Sequence, residues 1–499
     1  MIPALRTPFG GRIDRTRVIN FSFDGRAYRG VAGDTLASAL LANGVHLIGR
    51  SFKYHRPRGL LAAGAEEPSA LVTVRRDAAR CTPNLRATQL ELYEGLEAFS
   101  QNRWPALAFD LGAVNDLLAP FIPAGFYYKT FMWPRSAWQW LYEPRIRAAA
   151  GLGRAPAQAD PDRYTSRFAH CDVLVVGAGP AGLAAAHAAA AAGARVVLCD
   201  EQSEPGGTLL SDPPGDEATL EGRPARLWLS DTVSALTRNP RVTLLTRTTA
   251  FGYFPHNLVG LSQRLTDHLA APPPEAPRER QWQLRAREVV LATGAIERPL
   301  VFPGNDRPGI MLAGAARTWL NRYGVVPGTR AVVVTACDEA YRAALDLERA
   351  GVHIACVADV RPRADGGWAR RAREDGIAVL PGVTVLGTSG RRRVTSIELA
   401  RLESDRAADV GTQPCDLVLM SGGLTPSVHL HSQSRGKLVW DCGLQAFLPG
   451  EPAERSRSAG ACRGVFALDA AFADGAAAGA AAARDALLAG RTGVHAGAP

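Results

Sequence analysis

Apolar and polar residues alternate from Val18 through Ile19-Asn20-Phe21-Ser22-Phe23. A period of two marks a half-buried strand. Asp24-Gly25 then supplies turn chemistry, and a second strand follows. Next the period lengthens to that of a helix. Leu36, Leu40 and Leu41 share one face, Asp34 is the expected N-cap, and Gly44 stands just past the end. Ala70 to Val74 reads as a further strand. Two strands, a helix and a later strand predict a small β-grasp module over residues 1–100. From about residue 166 the pattern changes to continuous apolar runs alternating with helical stretches. That alternation predicts parallel sheets with helices on their faces.

Between these parts lies a segment, 101–165, with neither period. Trp104, Phe126, Tyr127, Tyr128, Phe131, Trp133, Trp138, Trp140 and Tyr142 crowd into it, punctuated by Gly and Pro, and Ala148 to Asp162 reads as a linker. Such aromatics serve equally well to contact another subunit or to pack this chain's own domains together. The expected division is a ferredoxin-like β-grasp module at 1–100 and an aromatic connector at 101–165. A dinucleotide-binding domain then spans 166–305 plus 410–499, interrupted by a second, nucleotide-binding-like domain at 306–409.

Composition narrows the class. With 499 residues, 46% hydrophobic and 21% charged, the chain has the makeup of an ordinary globular protein of several domains. The net charge of +9 comes almost wholly from scattered Arg; Lys occurs only at Lys53, Lys129 and Lys437. No run of five basic residues exists, which argues against nucleic acid as a partner. Arg391-Arg392-Arg393 reads as a solvated turn. Residues 1–17 are polar and no stretch of about 18 apolar residues occurs, so a cytoplasmic protein without a membrane span is expected. The eight Cys contain no C-x-x-C pair; Cys171, Cys199 and Cys356 sit in or beside apolar runs and are expected to be free buried thiols, with no zinc site.

The chemistry concentrates after residue 170. Cys171 to Val176 is a buried strand, followed at once by Gly177-Ala178-Gly179-Pro180-Ala181-Gly182, an Ala-rich helix to about Ala192 and a strand ending at Cys199. This is one βαβ unit of Rossmann type. Its first glycine permits the tight turn, its second lets backbone approach a diphosphate, and its third lets helix and strand pack closely. The helix N-terminus offers N–H groups and partial positive charge to the diphosphate. Asp200 is placed to bind the adenosine ribose, with Glu201 as the alternative. Gly206-Gly207 and the strand end Thr293-Gly294 complete the expected cofactor-binding set. The pairing resembles flavoproteins with two dinucleotide-binding domains, in which FAD fills the first and NAD(P)H the second.

The second such unit departs from that pattern. Ala331 to Val334 should open it, yet the turn reads Thr335-Ala336-Cys337-Asp338-Glu339, without glycine. Two carboxylates stand where a diphosphate would meet the helix, and they would repel it. A vestigial domain without cofactor is expected. The flavin end of the first site departs too. Where such flavoproteins carry G-V-F-A-x-G-D, this chain reads Gly464-Val465-Phe466-Ala467-Leu468-Asp469-Ala470.

These motifs together resemble the α subunits of heterotetrameric sarcosine oxidase. The resemblance rests on Gly49 to Gly59 (Gly49-Arg50-Ser51-Phe52-Lys53-Tyr54-His55-Arg56-Pro57-Arg58-Gly59), Ser100 to Pro105, Gly125 to Pro134, Asp338 to Arg342 and Ser432 to Lys437. It implies an NAD in the first site that does not turn over, an FMN at the border with a β subunit, and FAD with the amine-oxidising site on that β-like flavoprotein partner. Small γ- and δ-like subunits are further candidate partners. The implied substrate is sarcosine or a related secondary amine or imino acid. Opine oxidases, hydroxyproline dehydrogenases and hydrogen cyanide synthase have related subunits. Family α subunits are about twice this length, their second half being a folate-binding, aminomethyltransferase-like region. A self-sufficient FAD-dependent NAD(P)H oxidoreductase is the alternative reading, and a scaffold that binds nucleotide only for stability is a third.

Some relatives carry a [2Fe-2S] cluster in the β-grasp module on the pattern R-G-x-x-C-x-x-x-x-C-x-x-C, with a later R-A-C. Here Ala62, Glu67, Ala70 and Thr88 stand at those four positions. Thiolates are what hold such a cluster, so none is expected. No general base or nucleophile is assigned; His55, Lys53 and Arg56 are the candidates for an anionic flavin phosphate, or for a contact with this chain's own surface.

Overall fold

The computed structural model describes residues 3–121, 125, 131–149, 151, 153–213, 218–403 and 406–492. Phe126, Tyr127, Tyr128 and Lys129 of the connector lie outside the described residues. The chain forms two compact units, Met1–Pro161 with Pro299–Gly423, and Asp162–Arg298 with Leu424–Pro499. The N-terminal module and the second nucleotide-type sheet thus belong to one unit, and the chain passes between units after Arg298 and Gly423 rather than near 305 and 409.

In the first unit a five-stranded sheet runs in the order Arg26–Ala32, Asp14–Phe23, Leu96–Ser100, Leu71–Arg75, Cys81–Arg86. Its central pair, Asp14–Phe23 and Leu96–Ser100, is parallel. The helix Leu36–Ala42 makes the crossover, with all seven residues buried. Its cap corrects the expectation from sequence. Thr35, not Asp34, is the N-cap, accepting the Ser38 N–H in a capping box. Asp34 is buried and accepts both Arg6 Nη atoms, at 3.1 and 2.6 Å. A carboxylate one residue too early pairs with a buried guanidinium instead.

The same unit holds a parallel sheet in the order Ile310–Leu312, Leu417–Ser421, Arg330–Thr335, His353–Asp359, Val379–Pro381. Helices Ala313–Tyr323 and Ala340–Arg349 cover it. One continuous core joins Leu36, Leu40 and Ile48 of the module to Trp319, Tyr341 and Leu417. Removing that shared apolar surface from water is what makes the two parts one unit. Arg393 also differs from expectation: it is half-buried and donates to the Asp416 and Pro327 carbonyl oxygens, so only Arg391 and Arg392 form a solvated turn.

The second unit is built on Tyr164–Val176 and Glu279–Leu291, parallel along their whole length. Val196–Cys199 and Val242–Leu245 extend the parallel half, while Leu258–Arg264 and Thr248–Phe254 form an antiparallel extension. Helix Pro180–Ala191 lies along the sheet with Leu468–Thr492 against it. A side chain at Gly475 or Gly479 would collide with the backbone of Ala181 or Ala185. Small residues therefore let the two helices touch backbone to backbone, which accounts for the Ala-rich run near residue 480. Among the described residues no helix is long and apolar enough to cross a membrane.

Candidate functional site

The strand Tyr164–Val176 ends in the glycine turn. Gly177 takes φ +100°, and any side chain there would meet the Ala292 carbonyl oxygen. The Gly177 N–H donates to Cys199 O at 2.8 Å, tying the turn to the next strand. A side chain at Gly182 would strike the Gly177 carbonyl, so helix and turn pack in direct backbone contact. Gly179 differs from both. The nearest atom to a Cβ built there is Gly207 Cα, 4.0 Å away. Its φ of −73° suits any residue, so neither backbone conformation nor a close neighbour requires glycine there. Pro180 occupies the first helical turn, and no side chain caps the helix. Ala178 and Ala181 are buried. The N-terminal N–H groups thus face an open cradle suited to a diphosphate.

Three further segments border the cradle. Gly206 donates its N–H to Ala178 O at 2.8 Å, and Gly207 lies against Gly179. The Thr293 hydroxyl donates to Ser427 O at 2.7 Å, and Gly294 O accepts the Ser427 N–H at 2.9 Å. Asp200 follows the strand Val196–Cys199. Its Oδ2 accepts the Ala178 N–H at 2.6 Å and its Oδ1 the Gln202 N–H at 2.8 Å. Asp200 is therefore fixed beside the turn, where an adenosine ribose meets this kind of site. Glu201 is half-buried, and its carbonyl accepts from Arg264. At the other end, Asp469 and Ala470 are exposed in the first turn of Leu468–Thr492.

None of the eight cysteines forms a disulfide. Burial pushes the Cys171 and Cys415 thiols up to about 12 and Cys356 to about 11, and raises Cys462 beside Thr293. They are unreactive thiols at neutral pH.

The acidic strand end of the first unit's parallel sheet is used differently. Asp359 closes the strand His353–Asp359 and is fully buried. Its carboxylate accepts the Tyr341 hydroxyl at 2.8 Å, the Arg361 N–H at 3.0 Å, and Arg361 Nε and Nη2 at 2.9 and 2.6 Å. No acceptor capacity is left for a ribose. Asp338 does not sit on its own helix as the sequence suggested. Its Oδ2 accepts the Trp368 N–H at 3.1 Å, and its carboxylate leaves no room for a side chain at Gly366. It caps the helix Gly367–Glu374, and Glu339 pairs with Arg342. Arg361, two residues beyond Asp359, is the sequence signal for this lock.

The basic loop is anchored within this chain. His55 Nδ1 lies 2.7 Å from the buried Asp110 carboxylate, Arg56 donates to Asp116 at 2.6 Å, and Arg58 pairs with Asp306. Lys53 stands over the Tyr54 ring at 4.8 Å.

Comparison with known proteins accords with this anatomy. The 2Fe-2S iron-sulfur cluster binding domain matches residues 16–103, and pyridine nucleotide-disulphide oxidoreductase matches residues 171–446, more than half of the chain. The chain belongs to the pyridine nucleotide-disulphide oxidoreductase family. It is 50% identical over 472 residues to the sarcosine oxidase subunit alpha of Rhizobium meliloti (strain 1021), covering 95% of this chain and 46% of that one. It is 39% identical to the subunit alpha of Corynebacterium sp. (strain P-1), covering 97% of this chain and 45% of that one. The chain therefore spans about half the length of the curated relatives it matches. The resemblance read from the motifs is borne out, as is the ferredoxin-like plus Rossmann-like fold class. The crystal structure of L-proline dehydrogenase from P. horikoshii shares the fold, with a TM-score of 0.63 at 19% identity over 96% of this chain and 76% of that one.

Proposed function

We propose that this chain is an α-type subunit of a sarcosine oxidase-like complex, oxidising sarcosine or a related secondary amine or imino acid. Its glycine turn would hold one NAD that stays bound through turnover, with Gly179, the N-terminus of helix Pro180–Ala191 and Asp200 as the contacts. The amine-oxidising site and FAD belong to a β-type flavoprotein partner, and FMN to the border between the two; the FMN assignment rests on the family resemblance.

One observation carries the reading: Asp200 is set beside an open cradle, while the matching Asp359 is consumed by Arg361 and Tyr341. A chain with one nucleotide seat lacks the second seat that a conventional NAD(P)H:flavin reductase needs. The connector supports a partner. Trp133 is 84% exposed, Phe121 82% and Trp140 69%. Large exposed aromatics in one segment are interface chemistry.

Co-expression with a β-type flavoprotein chain, followed by acid extraction of the purified complex, tests this. The expected extract contains NAD and FMN, and the complex oxidises the amine without added NAD(P)H. A yellow isolated chain that yields FAD alone, and whose flavin is bleached by NAD(P)H, would sink it.

A further inference from the structure

Glu67 is a buried carboxylate that the proposed function leaves unused, with only 1% of its surface exposed. Its Oε2 accepts the N–H groups of Leu61 and Ala62, both at 2.7 Å. Its Oε1 accepts those of Ser69 at 2.6 Å and Ala70 at 2.9 Å. Four backbone donors from two short segments converge on one side chain. Arg86 donates at 3.2 Å to the Glu67 carbonyl oxygen, not to the carboxylate. The countercharge is therefore an array of backbone dipoles, an anion-binding nest.

This nest lies in the domain matched as a 2Fe-2S cluster binding domain. Ala62, Glu67, Ala70 and Thr88 occupy the four cysteine positions of the cluster pattern, and all four are buried. They converge in space. Glu67 binds the N–H groups of residues 62 and 70, Ala87 donates to Ala70 O at 3.0 Å, and the Thr88 hydroxyl donates to Gly64 O at 2.7 Å. A cluster needs thiolates, and none stands here; its sulfurs are also tuned by hydrogen bonds from such a loop. The residues present do not fit the metal group, yet the donors that would face an anion remain.

We propose that the Glu67 carboxylate is a tethered anion that replaces an iron–sulfur cluster, holding residues 59–70 in cluster-binding shape without iron. The module then keeps its fold and its share of the first unit's core but carries no electron. Electron flow in any complex bypasses it. Burial raises the Glu67 pKa while the four N–H bonds oppose that rise.

The full-length chain is the material for the test. Glu67→Gln keeps the shape but sets an amide N–H against backbone donors, and Glu67→Ala empties the nest. Each is expected to lower Tm by roughly 5 °C or more. Sodium formate should then raise the Tm of Glu67→Ala saturably and leave wild type and Glu67→Gln unmoved, because only the emptied nest has room for a free carboxylate. Melting of both variants at the wild-type temperature, or an equal formate response in all three, would overturn the proposal. A second measurement does not depend on these variants. After anaerobic iron and sulfide treatment, the combined variant Ala62→Cys, Glu67→Cys, Ala70→Cys, Thr88→Cys is expected to hold about two iron atoms per chain, and wild type none. Equal iron in both, or none in the cysteine variant, contradicts it.

Discussion

Gly179→Leu is expected to leave the chain folded but unable to bind NAD. The backbone at Gly179 suits any residue, and a Cβ there meets nothing closer than 4.0 Å, so the fold has no objection to a side chain. A diphosphate does object, because that open space is where it must approach the helix N-terminus. Losing two charge-assisted hydrogen bonds of about 1.5–3 kcal/mol each corresponds to a fall in affinity of roughly 100-fold or more. The unliganded melting temperature is expected to stay within about 1 °C of wild type, while the NAD-dependent rise in Tm disappears. Gly182→Leu is the contrast. Its side chain would collide with the Gly177 carbonyl, so the second unit itself is expected to lose stability. Titration of both variants with NAD, followed by melting, separates the two. Undiminished NAD binding by folded Gly179→Leu would show that the cradle is not the diphosphate site.

The second large effect is expected at the connector. Trp133 and Trp140 are exposed in the isolated chain, and Tyr142 donates its hydroxyl to Trp133 O at 2.9 Å, giving that turn a defined shape. Aromatic anchors of this kind contribute about 2 kcal/mol or more each to an interface. Trp133→Glu combined with Trp140→Glu is therefore expected to weaken association with a β-type partner by roughly 100-fold or more. Since neither side chain is buried, the variant chain alone should melt within about 1 °C of wild type. Quantitative co-purification with the partner checks this. Retention of full complex by the double variant would return the connector aromatics to a role within this chain.

What could be read in advance follows the range of the interactions. The glycine turn was legible because strand, turn, helix and Asp200 lie within 30 residues and each obeys a local rule. Only half of its strand was visible. Residues 173–176 form an apolar run and 171–176 are all buried, whereas Tyr164 to His170 are mostly exposed and become strand only by pairing with Glu279 to Arg285, more than 100 residues away. Asp34 looked like a cap because its partner Arg6 lies 28 residues upstream. The departure of the turn Thr335 to Glu339 was legible as missing glycine, but the use made of the nearby carboxylates was not. Asp338 turns to the helix after the next strand, and Asp359 is sealed by Tyr341, 18 residues before it, and Arg361, two after it. At Glu67 the lost cysteine was plain in the sequence. The convergence of four N–H groups needed the loop's path in three dimensions.

The first site is expected to hold an NAD that takes no part in turnover. The most direct measurement is the redox state and content of bound nucleotide in the purified complex, before and after anaerobic addition of the amine substrate. About one NAD per chain, oxidised throughout while the flavin absorbance bleaches, is the predicted result. NADH appearing in step with substrate oxidation, or FAD in place of NAD in this chain, would contradict it.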